Sequence, residues 1–475
     1  MAPQPHIAIL GAGPAGLGAA FQLTRRGLAR VTVLEQSGRV GGNAGSFDLA
    51  GFRVDYGSHR LHPACDAEVL GDIRALLGDD LLDRPRHGRI RLRGRWIHFP
   101  LKPLDLARRL PPSFTAGVAL DLVGKALPRR PVTSEAETFA SVLQTGLGRT
   151  ICRDFYFPYA RKIWGLAPEE LSATQARRRI SAGSIGKMLQ RVAAAMPGHR
   201  GDRGGHFYYP RQGYGQISEA YYKAAREAGA DFHLNARVLA VEVRGAEQAI
   251  QYEEDGQAAS LGAQHVWSTI PVTILARCLK PGPPAESVRA AESMHYRAMI
   301  LIYLVVEQER FSEYDAHYFP EANIPITRIS EPKNYNSGEG PRDTTILCAE
   351  LPCEPDGREW LTSDEELGQL VRRSLEAAGI PLRAPIRQVV TRRLRQAYPI
   401  YRRGYEAHFD ALDGWMDQMD GLLTFGRQGL FAHDNTHHAL YMAYAATKCI
   451  DADGRLDRER WREYRRFFET HVVED

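Results

Sequence analysis

Ten residues into the chain, the apolar run His6-Ile-Ala-Ile-Leu10 meets closely spaced glycines, Gly11-Ala-Gly13-Pro14-Ala15-Gly16. A helix-compatible run, Leu17 to Arg26, follows, and a second apolar run, Val31-Thr-Val-Leu-Glu35, ends in an acid. Few folds accept that order. Buried strand, glycine turn, helix and second strand closing on a carboxylate predict a dinucleotide-binding α/β unit. Gly11 permits the tight turn, Gly13 lets the backbone approach a pyrophosphate, and Gly16 lets helix and strand pack closely. Pro14 and Ala15 open the helix, whose N-terminus attracts the anion. Glu35 is placed to accept ribose hydroxyls and disfavours a 2′-phosphate. These residues are the first expected cofactor contacts.

The residues after Glu35 narrow the choice of dinucleotide. Gln36-Ser-Gly-Arg39-Val-Gly41-Gly42-Asn43 adds a second glycine pair and an arginine that an NAD site does not need. The stretch resembles the large FAD-dependent family shared by amine oxidases, protoporphyrinogen oxidases, phytoene desaturases and UDP-galactopyranose mutases. The resemblance implies FAD, with Gln36, Arg39, Gly41, Gly42 and Asn43 along its diphosphate and ribityl chain. The plain alternative is an NAD-binding unit with a coincidental second turn. The implied fold is α/β: a Rossmann-like FAD-binding domain of the glutathione-reductase type, with an α+β substrate domain.

Length and composition set outer bounds. A chain of 475 residues exceeds the size of a single core. The expected division gives the FAD-binding domain residues 1–95, 205–280 and 396–475, and the substrate domain a helical part, 96–204, and a sheet, 281–395. Gly201 to Gly205 reads as a hinge, and Asp231 to Ile270 as the strands of a meander. Helices are expected over 216–228, 363–378, 436–449 and 455–468. With 61 bases against 57 acids, net charge +4, nucleic acid is not the expected ligand. The six cysteines are scattered without a C-x-x-C pair or Cys/His cluster, so neither a metal site nor a disulfide framework is expected, and reduced thiols suit the cytoplasm. The first strand begins too early to leave room for a signal peptide. The longest apolar run, Ala298 to Val306, is too short to span a bilayer and reads as a buried strand, so no membrane association is expected.

Four further segments carry chemistry. Gly51-Phe-Arg-Val-Asp-Tyr-Gly57-Ser58-His59 is a strand ending at a glycine. By the resemblance it runs under the flavin ring, with Gly57, Ser58 and His59 as contacts and His59 tuning N5 or positioning substrate. The other reading is a histidine that only hydrogen-bonds the backbone. Phe157-Pro-Tyr159-Ala-Arg161-Lys162-Ile-Trp164-Gly165, followed by Pro168-Glu-Glu-Leu171, is mutase-like. Tyr159 and Trp164 could wall a substrate cleft or simply sit in a helical core, and Pro168 suits a first helical turn. Tyr209-Pro-Arg-Gln-Gly213 resembles the desaturase and protoporphyrinogen-oxidase relatives, and Tyr209 is a candidate substrate contact. Thr327-Arg328-Ile329-Ser330-Glu331 resembles a mutase segment whose arginine reaches substrate phosphates. Arg328 is therefore a catalytic or substrate-binding candidate, or it pairs with Glu331.

Gly426-Arg427-Gln-Gly429 precedes the helix over 436–449 and resembles the family's last FAD motif, with Gly426, Arg427, Asn435 and Thr436 at the pyrimidine edge and His433 toward substrate. Val238 completes the expected cofactor contacts. The tyrosine run that in the mutases holds a sugar-nucleotide diphosphate is missing here.

The implied activity is an FAD-dependent oxidoreductase that moves hydride from a polar, sugar-bearing small molecule to flavin N5, with His59 as proton acceptor. The alternative is a redox-neutral, reduced-flavin mutase of a glycosyl substrate. A non-catalytic flavoprotein that scaffolds a complex is the third reading.

Overall fold

The computed structural model describes residues 4–100, 105, 108–125, 137–179, 205–245, 247–336, 338 and 340–473. Its first sheet has five strands in the order Leu422–Thr424, His265–Ser268, His6–Leu10, Arg30–Leu34, Asp231–His233, every neighbouring pair parallel. The glycine-turn strand lies at the centre, which explains why His6–Leu10 is buried throughout. Successive side chains of a strand point to opposite faces. Ile7 and Ile9 accordingly join a core with Leu17, Leu440 and Ala443, from the helices Pro14–Arg25 and Thr436–Thr447. Ala8 and Leu10 join a second core with Val241, Ile250 and Val266. The helix contact is close because Gly18 carries no side chain, since a Cβ there would stand 2.9 Å from Leu440 Cδ2.

The expected meander over 231–270 is corrected. Only Ala236–Arg244, Glu247–Glu254 and Gln257–Ala263 form it, antiparallel throughout. Asp231–His233 and His265–Ser268 extend the parallel sheet instead. The strand Gln257–Ala263 escapes sequence reading because it is an edge strand whose exposed positions carry Gln, Ala, Ser and Gly.

A second, seven-stranded sheet runs Ile386–Pro399, Tyr296–Val306, Thr345–Cys353, Arg328–Ser330, Ala316–Tyr318, Gly88–Leu92, Arg95–Phe99. Every residue of Tyr296–Val306 is buried. Ile300, Ile302 and Leu304 face Leu367, Val371 and Leu375 of the helix Asp364–Ala377. Met299, Leu301 and Tyr303 face Phe52 and Val54 of the hairpin Ser46–Leu49/Phe52–Asp55. This strand thus holds the Gly57 segment against the sheet. Gly88–Leu92 and Arg95–Phe99 belong to this sheet rather than to the first unit, because Ile90, Leu92 and Ile97 bury against Ala316 and Tyr318.

The helical segment 139–164 and residues to 179 share a small core around Phe139, Leu143, Ala160 and Trp164. Pro168-Glu-Glu-Leu171 does not begin a helix there; it is a turn, and the helix starts at Ala173. The carbonyls of Pro168 and Leu171 are taken by the N–H groups of Ala140 and Phe139, which pins the segment as a turn. Most of the expected hinge over 201–205 lies outside the described residues. No described helix is long and apolar enough to cross a membrane. None of the six cysteines is in a disulfide, and all are buried.

Candidate active site

The glycine turn is built as a cradle. Gly11 takes φ +97, a conformation that favours glycine, and its N–H reaches Leu34 O at 2.8 Å. A Cβ on Gly16 would lie 1.9 Å from Gly11 O, so helix and strand touch backbone to backbone. Gly13 differs: nothing lies within 4 Å of where its Cβ would be. The helix it caps has no side-chain cap and no acid in its first turn. That pairing of open space with an uncapped helix N-terminus fits a phosphate group.

The second turn closes over the first: Gly41 N donates to Ala12 O at 2.8 Å, and the Gly42 Cβ position is 3.5 Å from Gly13 Cα. Glu35 organises both. Its Oε2 accepts from Ala12 N at 2.8 Å, and its Oε1 accepts from Ser37 N and Oγ at 2.9 and 2.8 Å. A carboxylate has about four acceptor sites, so capacity remains for ribose hydroxyls. Arg39 donates to Gly42 O at 3.0 Å and lies 3.8 Å over the Tyr56 ring. Gln36 is exposed. Val238 sits beside a bulge in the meander and is half-buried.

At the other end, the Gly57-Ser58-His59 segment emerges from the Phe52–Asp55 strand. His59 Nε2 donates to the carbonyls of Asn43 and Tyr56 at 2.9 and 3.0 Å, and its ring stacks on Tyr214 at 5.2 Å. Burial lowers its pKa against the pull of Asp55, so the ring is neutral at pH 7. With the proton on Nε2, Nδ1 is an acceptor, and it has no hydrogen-bond partner among the described residues. Asn43 reaches Gln396 O at 3.5 Å.

Arg328 does not pair with Glu331. It is held by Glu350, its cross-strand partner, with Nη2 at 2.7 and 2.9 Å and Nε at 3.1 Å. Burial opposes the guanidinium charge, and Glu350 outweighs that, so the pKa rises. Nη2 also donates to Ser58 O at 3.3 Å, and Glu350 Oε1 accepts the Ser58 N–H at 3.0 Å. Nη1 has no hydrogen-bond partner among the described residues. Glu331 instead accepts from Phe311 N, Ser312 N and Thr345 Oγ1.

Tyr209 is placed in the core, not on a cleft. It is 2% exposed, stacks on Tyr335, and donates its hydroxyl to Asp55 Oδ2 at 2.6 Å. Asp55 needs that bond, because burial raises its pKa and the hydrogen bonds from Ser46, Tyr209 and Tyr214, with His59 nearby, offset only part of the cost.

The last motif meets the first. Gly426 takes φ +80, and its Cβ position is 2.7 Å from Ala15 Cβ, so the turn lies on the first turn of the Pro14 helix. Arg427 donates to Ala397 O at 2.7 Å and to Asp434 O at 3.4 Å, while Gln428 donates to Gln396 O at 2.8 Å. Asn435 caps the Thr436–Thr447 helix in a capping box with His438. His433 is 1% exposed and boxed by Tyr401 at 4.8 Å, Tyr398 at 6.1 Å and Trp164 at 6.2 Å. Trp164 is also buried, while Tyr159 is half-buried and close enough to act electrostatically on Arg328. A cavity of ≈ 530 Å³ opens beside Trp164, with Arg277, His295, Tyr296, Gln396 and Arg402 among its walls.

Folding therefore brings Gly11 to Gly16, Glu35, Arg39 to Gly42, and Gly426 together. His59 and Arg328 meet around Ser58 and Gly57. Trp164 and His433 share an aromatic box, and Tyr209 is joined to His59 only through Asp55 and to Ser58 through Tyr335. Sequence reading missed Glu350, whose partner is identified only by strand register. It also missed the Gln396–Ala397 carbonyls, which no side-chain pattern marks.

The flavin-containing amine oxidoreductase family matches this chain over residues 14–442. Reduced UDP-galactopyranose mutase is similar in structure, with a TM-score of 0.76, 21% identity, and 93% of each chain covered. Cyclohexylamine oxidase from Brevibacterium oxydans gives a TM-score of 0.66 at 17% identity, covering 98% of this chain and 100% of that one. Phytoene dehydrogenase from Streptomyces griseus is 39% identical over 82 residues, a match spanning 17% of this chain and 15% of that protein.

Proposed function

The chain belongs to the flavin-containing amine oxidoreductase family with FAD as its cofactor, and on that premise we propose that it is an oxidoreductase acting on a polar, sugar-bearing small molecule. FAD supplies the hydride acceptor, at N5 of its ring. The open Gly13 cradle and Glu35 are the proposed holders of its diphosphate and ribose, and Arg427, Asn435 and Thr436 lie at its ring end.

The observation that carries the reading is the state of the two candidate catalytic side chains. Neutral His59, its Nε2 proton committed to two backbone carbonyls, offers Nδ1 as the acceptor of a substrate proton. Arg328 is neutralised by Glu350, so it orients a substrate oxygen through Nη1 rather than offering an unpaired charge to a diphosphate. The cavity beside Trp164 is the proposed substrate entry, large enough for a small molecule. Six buried thiols outside any disulfide suit a reducing compartment, and the cytoplasm is the proposed location.

The redox-neutral reading, a mutase of a glycosyl substrate, has one observation in its favour: Nη1 of Arg328 remains for a sugar oxygen. Turnover with oxygen consumption and net substrate oxidation supports the oxidoreductase. Turnover only after dithionite reduction, with substrate and product at the same oxidation level, overturns it in favour of the mutase. His59→Ala is expected to retain FAD and lose turnover, while unchanged kinetics would remove His59 from the chemistry.

A further inference from the structure

One buried cluster takes no part in the reaction described above. It lies where the residues near the C-terminal end of the described chain meet the start of the Thr436–Thr447 helix. The Asp434 side chain is 0% exposed, yet neither carboxylate oxygen makes a hydrogen bond of ordinary geometry. Burying a carboxylate in that state is costly, and the Arg178 guanidinium beside it stands beyond direct hydrogen-bond length.

Three groups face Asp434 Oδ1: His471 Nδ1 at 3.4 Å, His438 Nδ1 at 3.5 Å and Arg178 Nη1 at 3.7 Å. All stand beyond ordinary hydrogen-bond length, and His471 Nδ1 and the Nε and Nη1 of Arg178 are themselves without partners. Atoms bound to a tetrahedral ion at 2.0–2.1 Å stand about 3.3 Å apart. The two histidine-to-carboxylate separations approach that edge length. One ligand atom from each of Asp434, His438 and His471 lies within 4.8 Å of the others. The His438 and His471 rings stack face to face at 4.3 Å, so one ring must turn out of the stack for both Nδ1 lone pairs to meet a single ion.

We propose that Asp434, His438 and His471 bind a divalent first-row transition ion, Zn²⁺ above all, with a water completing the tetrahedron. Two imidazoles and one carboxylate are a borderline-soft donor set that suits Zn²⁺ better than Mg²⁺ or Ca²⁺. The ion takes Oδ1, from which Arg178 Nη1 now stands 3.7 Å, and Oδ2 is left for the guanidinium to turn to. His438 Nδ1 now accepts the Asn435 N–H at 3.2 Å, and ligation diverts that lone pair. The metal thereby ties His471 to the helix start that carries Asn435 and Thr436.

The test uses the full-length, FAD-loaded protein, stripped with chelator and then dialysed against Zn²⁺. About one equivalent per chain should be retained, and the melting temperature should rise with Zn²⁺ concentration and fall again with EDTA. X-ray absorption at the zinc edge should show two imidazole ligands. His471→Ala should abolish retention, whereas His408→Ala, at an exposed site, should keep it. Should His471→Ala fail to fold, His471→Gln and the zinc-edge spectrum of the unaltered protein decide the question. No retained zinc, a zinc environment without imidazole, or full retention in the His471 variants would overturn the proposal, leaving Asp434 paired with Arg178 alone.

Discussion

One substitution made at two glycines separates a cofactor site from a packing site. Gly16→Ala places a methyl 1.9 Å from the Gly11 carbonyl oxygen, where ordinary carbon–oxygen contact is well over 3 Å. The obstructing oxygen belongs to backbone and cannot swing aside, so the helix must move off the strand, and overpacking of this kind costs about 1–3 kcal/mol or more. Gly13→Ala meets nothing within 4 Å, and at φ −75 the new residue is unstrained. The flavin-free Gly13 variant should therefore melt close to the unaltered protein, since the gain of about 0.4–1 kcal/mol from Gly→Ala is set against the poorer fit of Ala at an N-cap.

FAD binding reverses the ranking of the Gly13 variant. If the open volume is the diphosphate cradle, its methyl occupies ligand space, and a cost of about 1–3 kcal/mol weakens FAD by roughly 5- to 150-fold. Melting curves of deflavinated protein and an FAD titration followed by flavin fluorescence measure the two effects separately. A Gly13→Ala protein that binds FAD as tightly as the unaltered one would refute the cradle. A Gly16→Ala protein of unchanged stability would refute the packing argument.

Other perturbations follow from the same geometry. Glu350→Gln leaves buried Arg328 without its counter-charge and should destabilise the fold by about 3–5 kcal/mol, with much of that recovered in the Glu350→Gln/Arg328→Met double variant; denaturant unfolding checks it. Tyr209→Phe removes the bond to buried Asp55 and should cost about 1–3 kcal/mol of stability while leaving KM unchanged; a raised KM would return Tyr209 to the substrate. Burial, with Arg89 beside it, holds the His317 pKa well below 6.5. Below pH 6.5 the unfolded chain takes up a proton that folded His317 refuses, so stability falls as pH drops, by up to about 1.4 kcal/mol per pH unit from this group. His317→Phe should flatten that limb of the stability–pH curve.

Much of the cofactor unit is legible because its signals are local. Strand, glycine turn, helix and acid fall within Ile7 to Glu35, and each glycine's purpose depends on neighbours a few residues away. The Arg328 partner is not local. Residues 328 and 331 are three apart on an extended chain, so their side chains leave opposite faces, and Glu331 bonds Phe311 and Ser312 instead. Glu350 lies opposite Arg328 only through sheet register. Tyr209 misleads for a related reason: its motif marks a strand running into a turn, but its hydroxyl is consumed by Asp55, 154 residues away. Edge strands such as Gln257–Ala263 carry too few apolar residues to announce themselves.

The contact of Gly426 with Ala15 has a temporal meaning as well. On the ribosome, the Pro14 helix emerges more than four hundred residues before the turn that covers it, and the parallel sheet waits equally long for Leu422–Thr424. Pairing that spans so much chain forms slowly and leaves intermediates exposed. With Gly426 at the cofactor as proposed, a nascent chain arrested before Gly426 should hold its first two glycine turns without a complete pocket between them, and should retain no FAD.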